Sequence, residues 1–181
     1  MEIKNTNRIQ TPSQTVGPYF AYGLTPGQYG YDFKSLVGNK IEDAAPLAER
    51  ITIKGKVFDG EGNLIPDAMI ELWQNDGVNQ FFGRFGTGTE KENQFVFETI
   101  KPKSVEGKAP YVTLILFMRG QLIHSYTRVY FSDEVALNTI DAILNSVPAE
   151  RRNTVIAQKK ENFYEFNIYM QGENETVFFE V

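Results

Sequence analysis

Most side-chain chemistry near neutral pH relies on histidine, cysteine or paired carboxylates, and this chain is poor in the first two. It holds one histidine, His124, and no cysteine. Thiolate nucleophiles, disulfide frameworks and cysteine-based zinc or iron–sulfur sites are therefore excluded, as is any site needing two imidazoles from this chain alone. A serine triad would need His124, but that residue sits in an apolar and aromatic run suited to packing, and no Gly-x-Ser-x-Gly elbow is present. Glu71 and Asp76 could pair across space, although surface charge is the simpler reading. The glycines Gly83, Gly86 and Gly88 fit neither a dinucleotide fingerprint nor a phosphate loop, and they read as a tightly turned loop. The run Asp59-Gly60-Glu61-Gly62-Asn63 lacks the full spacing of a calcium loop and reads as a hairpin turn.

The elements that would carry any site follow from hydrophobic periodicity. Ile51, Ile53, Gly55 and Val57 alternate with Thr52, Lys54 and Lys56, the period of a half-buried strand. Further strands are predicted at Ala68 to Trp73, Phe95 to Ile100, Tyr111 to Met118, Leu122 to Phe131, Phe163 to Met170 and Val177 to Val181, with a hairpin turn at Arg119-Gly120-Gln121. A short helical excursion capped by Ser132 or Asp133 carries Val135, Leu137, Ile140, Ile143 and Leu144 at the spacing of one apolar face, and Pro148 opens a second helical stretch. The fold class is mainly β, a single β-sandwich spanning 51–181. Residues 1–50 are rich in glycine, proline and aromatic residues, and they read as an extended N-terminal arm lying on the domain or on a partner.

The length of 181 residues suits one core, and 41% hydrophobic with 23% charged residues excludes a disordered chain. The net charge of −5 argues against nucleic acid or an anionic membrane as partner. The basic residues Arg151, Arg152, Lys159 and Lys160 read as a solvated face. No apolar run approaches a membrane span, and the polar N-terminus without a signal core makes the cytoplasm the expected location.

Gly55-Lys56-Val57-Phe58-Asp59-Gly60-Glu61-Gly62, Ile65-Pro66-Asp67-Ala68 and Ile70-Glu71-Leu72-Trp73-Gln74, long motifs in order, are similar to core strands of the intradiol ring-cleaving dioxygenase family at large. The opening Thr11-Pro12-Ser13-Gln14-Thr15-Val16-Gly17-Pro18-Tyr19 resembles the iron-free α type of its heteromeric members. So do Thr99-Ile100-Lys101-Pro102, Arg119-Gly120 to Phe131, and Gln171-Gly172-Glu173-Asn174-Glu175-Thr176-Val177-Phe178-Phe179.

The resemblance implies a fold of the intradiol dioxygenase type and a β subunit partner that carries Fe(III) on two tyrosinates and two histidines. Higher αβ oligomers are implied too. In this chain the His-x-His positions are held by Tyr111 and Thr113. The tyrosine position after Pro102 is held by Val105, and the segment for the other tyrosine is shortened around Val78 to Phe82. These vestigial metal-ligand positions imply no metal, no cofactor and no catalytic residue in this chain. By the same resemblance, Thr15, Gly17, Pro18 and Arg119 line the substrate pocket of the β partner, where a small catechol with a carboxylate is cleaved by dioxygen. Gly17-Pro18 would let backbone approach a ligand closely, and an arginine attracts a carboxylate. The alternative is a degenerate, stand-alone β-sandwich that works as a binding or scaffold protein.

Overall fold

The sequence Tyr-Val-Thr-Leu-Ile-Leu-Phe of β6 (Tyr111–Phe117) combines β-branched and aromatic residues, which suit a pleated surface with one buried side. Its Val112, Leu114 and Leu116 are fully buried, each worth roughly 1.5–3 kcal/mol of apolar burial. The computed structural model describes residues 17–41, 48–75 and 78–180. In it β6 lies between β3 (Met69–Asn75) and β7 (Ser125–Phe131), with β4 (Gln80–Gly86) on the far side of β3, all antiparallel.

The second layer is built from β1 (Arg50–Gly55), β5 (Phe95–Ile100), β8 (Ile156–Lys159) and β9 (Tyr164–Glu165). A parallel pairing of β7 with β8 joins the layers into one eight-stranded order, β4-β3-β6-β7-β8-β9-β1-β5. Two minor strands, β2 (Val57–Phe58) and β10 (Ile168–Tyr169), pair separately. The core between the layers takes Ile70, Leu72, Leu114 and Phe131 from one side, with Ile53, Phe95, Phe97 and Phe166 from the other. The fold is mainly β, as expected, and the alternation predicted from Ile51 is observed in β1. Among the described residues no helix is long and apolar enough to cross a membrane.

The helical excursion has a topological cause. Parallel strands cannot be joined by a tight turn and need a crossover of about a dozen residues or more. Between β7 and β8 that crossover is α2 (Val135–Ile140), α3 (Ala142–Ser146) and a 3-10 turn at Ala149–Val155. The predicted continuous apolar face is not what forms. The helix breaks at Asp141, whose side chain caps α3 by accepting Leu144 N–H at 2.8 Å, and Val135, Ile140 and Ile143 are exposed. Asp133, expected as a cap, instead accepts bonds from Lys101, Lys159 and Tyr164. The basic face is also engaged: Arg152 donates to the Val147 and Asn145 carbonyls, and Arg151 to that of Glu175.

Three strand predictions and one loop reading are corrected. The glycine run read as a loop lies largely in β4, whose period is hidden because Gly83 occupies an inward position between Phe81 and Phe85. A Cβ there would approach Gly38 O to 3.3 Å and the Phe97 ring to 3.4 Å. The strand predicted from Leu122 starts at Ser125, so Leu122 and Ile123 project into solvent from a longer turn. The last predicted strand is irregular, tied to β7 by Phe179 N–H to Tyr126 O at 2.8 Å and by Thr127 Oγ1 to Val177 O at 2.8 Å. The stretch Phe163 to Met170 divides into β9 and β10, and there Gly55 is required because any Cβ would collide with the Phe166 carbonyl.

The segment before β1 closes the edges of the sheet. Arg84 N–H of β4 donates to Gly38 O at 2.9 Å, while Ile41 N–H donates to Glu98 O of β5 at 2.9 Å. The helix α1 (Pro18–Leu24) lies beyond, with Phe20 against Phe117 at the end of β6, ring centroids 5.5 Å apart.

Candidate functional site

The outward face of the β4-β3-β6-β7 layer carries Tyr111 and Thr113 of β6, with Val105 in the loop before that strand and Arg119 in the turn after it. Outward positions in register are Trp73 with Phe82 and Thr113, and Thr113 with Arg128. Two sites occupy opposite ends of β6, roughly 20 Å apart at the rise of an antiparallel strand.

At the Tyr111 end is a cavity of about 330 Å³. Val105, Tyr111 and Thr113 all line it, so these three positions, two of them on β6 and one in the loop before it, share one cavity. Gln80, in the segment expected to be shortened, lines it as well. Trp73 forms another wall, 42% exposed, with its Nε1–H 3.3 Å from Glu71 Oε2 and the Phe82 ring at 4.3 Å. Gln74, nearly buried, joins the layers by donating to Ile100 O at 2.8 Å and accepting from Thr99 Oγ1 at 2.9 Å. Thr113 Oγ1 lies 3.3 Å from the Tyr126 hydroxyl, and the Arg128 guanidinium sits 4.5 Å from the Tyr111 ring centre.

Sequence reasoning missed what holds this wall. Asp141, 3% exposed, accepts from Ala109 N–H at 3.0 Å, Leu144 N–H at 2.8 Å and the Tyr130 hydroxyl at 3.3 Å. It thereby fixes the Ala109-Pro110 approach to β6 against the crossover helix. Burial, followed by the adjacent Asp141 charge, pushes the Tyr130 phenol well above its usual range, against a lowering contribution from Arg128. A lone acidic residue inside an apolar helical pattern was the available signal, since it marks a helix break and cap.

The donor set of this cavity does not suit a ferric ion. Two phenolates and two imidazoles would have to converge, whereas the converging side chains are an isopropyl group, one phenol and one hydroxyl. Among the described residues no group of three or more His, Cys, Asp or Glu side chains gathers as a metal site would. His124 is exposed at the opposite end of the strand, its ring 5.7 Å from that of Phe117.

At that opposite end stand Arg119, Gly17 and α1. Arg119 Nε lies 2.7 Å from Asp67 Oδ2, with the arginine side chain 61% exposed and the aspartate 8%. Neither Asp67 oxygen receives an aligned hydrogen bond, so the contact is a close ion pair with an unsatisfied carboxylate. Gly17 is exposed and forms the N-terminal boundary of α1, and Pro18 opens that helix. Thr15 lies outside the described residues. Nearby Tyr19, Phe20, Tyr31 and Phe33 are exposed aromatics, and the Tyr29 phenol is pushed up to about 12 by burial and then by Tyr22 and Asp67.

No family model matches the chain. It is 49% identical to the protocatechuate 3,4-dioxygenase alpha chain of Burkholderia cepacia over 97% of its own length and 100% of the relative's. Identity to the alpha chain of the Pseudomonas putida enzyme is 35%, over 94% of this chain and 96% of that one. The beta chain of the Burkholderia cepacia enzyme is 25% identical over 78% of this chain and 72% of its own. Among solved structures, the fold resembles the dioxygenase domain of a dioxygenase and carbohydrate-binding fusion from Streptomyces sp. SirexAA-E. That match has a TM-score of 0.56 at 16% identity over 88% of this chain and 96% of the other. An intradiol ring-cleavage dioxygenase from Tetranychus urticae matches at a TM-score of 0.54 and 15% identity, over 77% of this chain and 88% of that one.

Proposed function

The chain belongs to the protocatechuate 3,4-dioxygenase alpha chains of the intradiol dioxygenase family, and from that membership we propose that it works as the iron-free subunit of such an enzyme. With a beta chain it supports cleavage of protocatechuate by dioxygen, between the two ring hydroxyls, to 3-carboxy-cis,cis-muconate. The ferric ion belongs to the beta partner in this reading, and higher assemblies of αβ pairs belong to it as well. The same reading assigns the protein to the cytoplasm, and the net charge of −5 speaks against nucleic acid as a further partner.

The observation that carries the proposal is a full-length likeness to alpha chains, and it is supported by a cavity whose walls include Val105, Tyr111 and Thr113. A stand-alone scaffold would not need to retain both the concavity and the alpha-type N-terminal and C-terminal motifs. What this chain supplies lies at the Arg119 end. Its exposed guanidinium offers positive charge to the substrate carboxylate, and Thr15, Gly17 and Pro18 shape the mouth of the partner's pocket. The division at Ile51 into arm and sandwich is part of this proposal, with the arm's exposed aromatics serving as the partner-facing surface.

The test is co-expression with a beta chain, followed by mass, iron and turnover measurements. A stable heteromer that turns over protocatechuate is expected, with turnover lowered when this chain is deleted up to Tyr19. Failure to associate with any beta chain that carries the His-x-His pair would favour the scaffold reading.

A further inference from the structure

The cavity at the Tyr111 end has the size and lining of a ligand site even though its donors do not suit iron. Its volume of about 330 Å³ falls within the roughly 300–1,000 Å³ of small-molecule sites. The walls are flat and apolar: Trp73, Pro102, Val105, Pro110 and Tyr111. Trp73 is held in place by its hydrogen bond to Glu71 and by the Phe82 ring, so its exposed surface is a fixed stacking platform.

The charge around these walls is positive. Lys103 and Lys108 both line the cavity, and Lys103 has no carboxylate partner among the described residues. Lys108 is paired with Glu106 at 2.8 Å, but both side chains are more than half exposed, so an anion can compete for the ammonium. Of the nearby described carboxylates, Glu71 is committed to Arg84 at 2.6 Å, and Asp141 to the Ala109 and Leu144 N–H groups and the Tyr130 hydroxyl. Arg128 adds a third cation beside the Tyr111 ring, and its buried Nε has no hydrogen-bond partner.

We propose that this cavity binds a planar aromatic carboxylate without any metal, its ring against Trp73 and Tyr111 and its carboxylate toward Lys103 and Lys108. A neutral arene would leave the lysines unmatched, and an inorganic anion would leave the indole and tyrosine faces wet. All of these groups belong to this chain, so the inference does not rest on the choice of partner.

The probe is 4-hydroxybenzoate, titrated calorimetrically into the full chain, with circular dichroism to verify folding. One bound probe per chain is expected. Val105→Trp, which fills the cavity from an exposed turn, abolishes it. Lys103→Gln combined with Lys108→Gln weakens binding up to roughly tenfold, as expected for two exposed charge contacts. The neutral analogue 4-hydroxybenzamide should bind more weakly by a similar factor. Where the chain alone is not folded, the heteromer serves instead, and Val105→Trp should lower bound 4-hydroxybenzoate by one per copy of this chain. Absence of binding by the native chain, or binding that Val105→Trp leaves intact, overturns the proposal. Equal affinity for acid and amide overturns the role of the lysines.

Discussion

The two ends of β6 differ in how completely this chain satisfies its buried carboxylates. At the Tyr111 end, Asp141 has three donors, and Asp133 receives Lys101, Lys159 and Tyr164. At the Arg119 end, Asp67 lacks any aligned hydrogen bond, while Leu122 and Ile123 are bare and four aromatics near α1 are exposed. At the Tyr111 end the buried carboxylates are matched, and the described groups left unpaired around the cavity are cationic, Lys103 and the Arg128 Nε. A region that leaves a buried carboxylate unsatisfied beside exposed rings is suited to being completed by another molecule. The wall of the cavity is therefore held by this chain's own residues, and the unsatisfied carboxylate of Asp67 sits where a partner chain is proposed to dock.

If that contrast is correct, the largest single effect comes from Asp141→Ala. Removing the carboxylate strands two backbone donors and the Tyr130 hydroxyl in a buried setting, and roughly 3 kcal/mol of stability should be lost in denaturant unfolding. A change under about 1 kcal/mol would mean that the pocket end is not held in this way.

Arg119→Ala should act more mildly on stability, about 1–2 kcal/mol, because Asp67 loses its counter-ion, and Asp67→Asn in the same chain should recover most of it. In the heteromer the same variant should weaken protocatechuate up to roughly fivefold relative to catechol, which lacks the carboxylate. Equal effects on both substrates would make Arg119 a structural turn residue.

The smallest effect is an acid limb. Burial pushes the Asp133 carboxyl up, but hydrogen bonds from Lys159, Lys101 and Tyr164 outweigh it and hold the group well below the usual carboxylate range. A carboxyl with a depressed folded-state pKa stabilises fully above its unfolded value, near 4, and loses that contribution as pH falls toward the folded value. Stability measured from pH 5 downward should fall less steeply in Asp133→Asn than in the native chain, and identical slopes would contradict the assignment.

The legibility of these features follows their physics. Strands with one wet and one dry face, such as Ile51 to Val57, declare themselves by alternation, and so did most of the sandwich. β4 did not, because Gly83 fills an inward slot where the approach of Gly38 and Phe97 leaves little room for a side chain. Leu122 and Ile123 misled in the opposite direction, being apolar without being buried. For the cavity, the motifs named Val105, Tyr111 and Thr113 without their neighbours, since Trp73, Lys103 and Lys108 are brought there only by folding. Asp141 was legible as a helix break and cap through Leu144, three residues on, but not as a linchpin, because its other partners, Ala109 and Tyr130, come from separate segments. The contacts of the segment before β1 with both sheet edges, through Gly38 and Ile41, likewise have no periodic signature.

The central claim is that this chain is the subunit without iron, and metal analysis joined to a visible spectrum tests it most directly. The full chain purified alone after growth with ample iron should contain no stoichiometric iron and show no tyrosinate-to-iron charge-transfer band, while the heteromer with a beta chain should show both. Near-equimolar iron and a red or purple colour in the isolated chain would contradict the account.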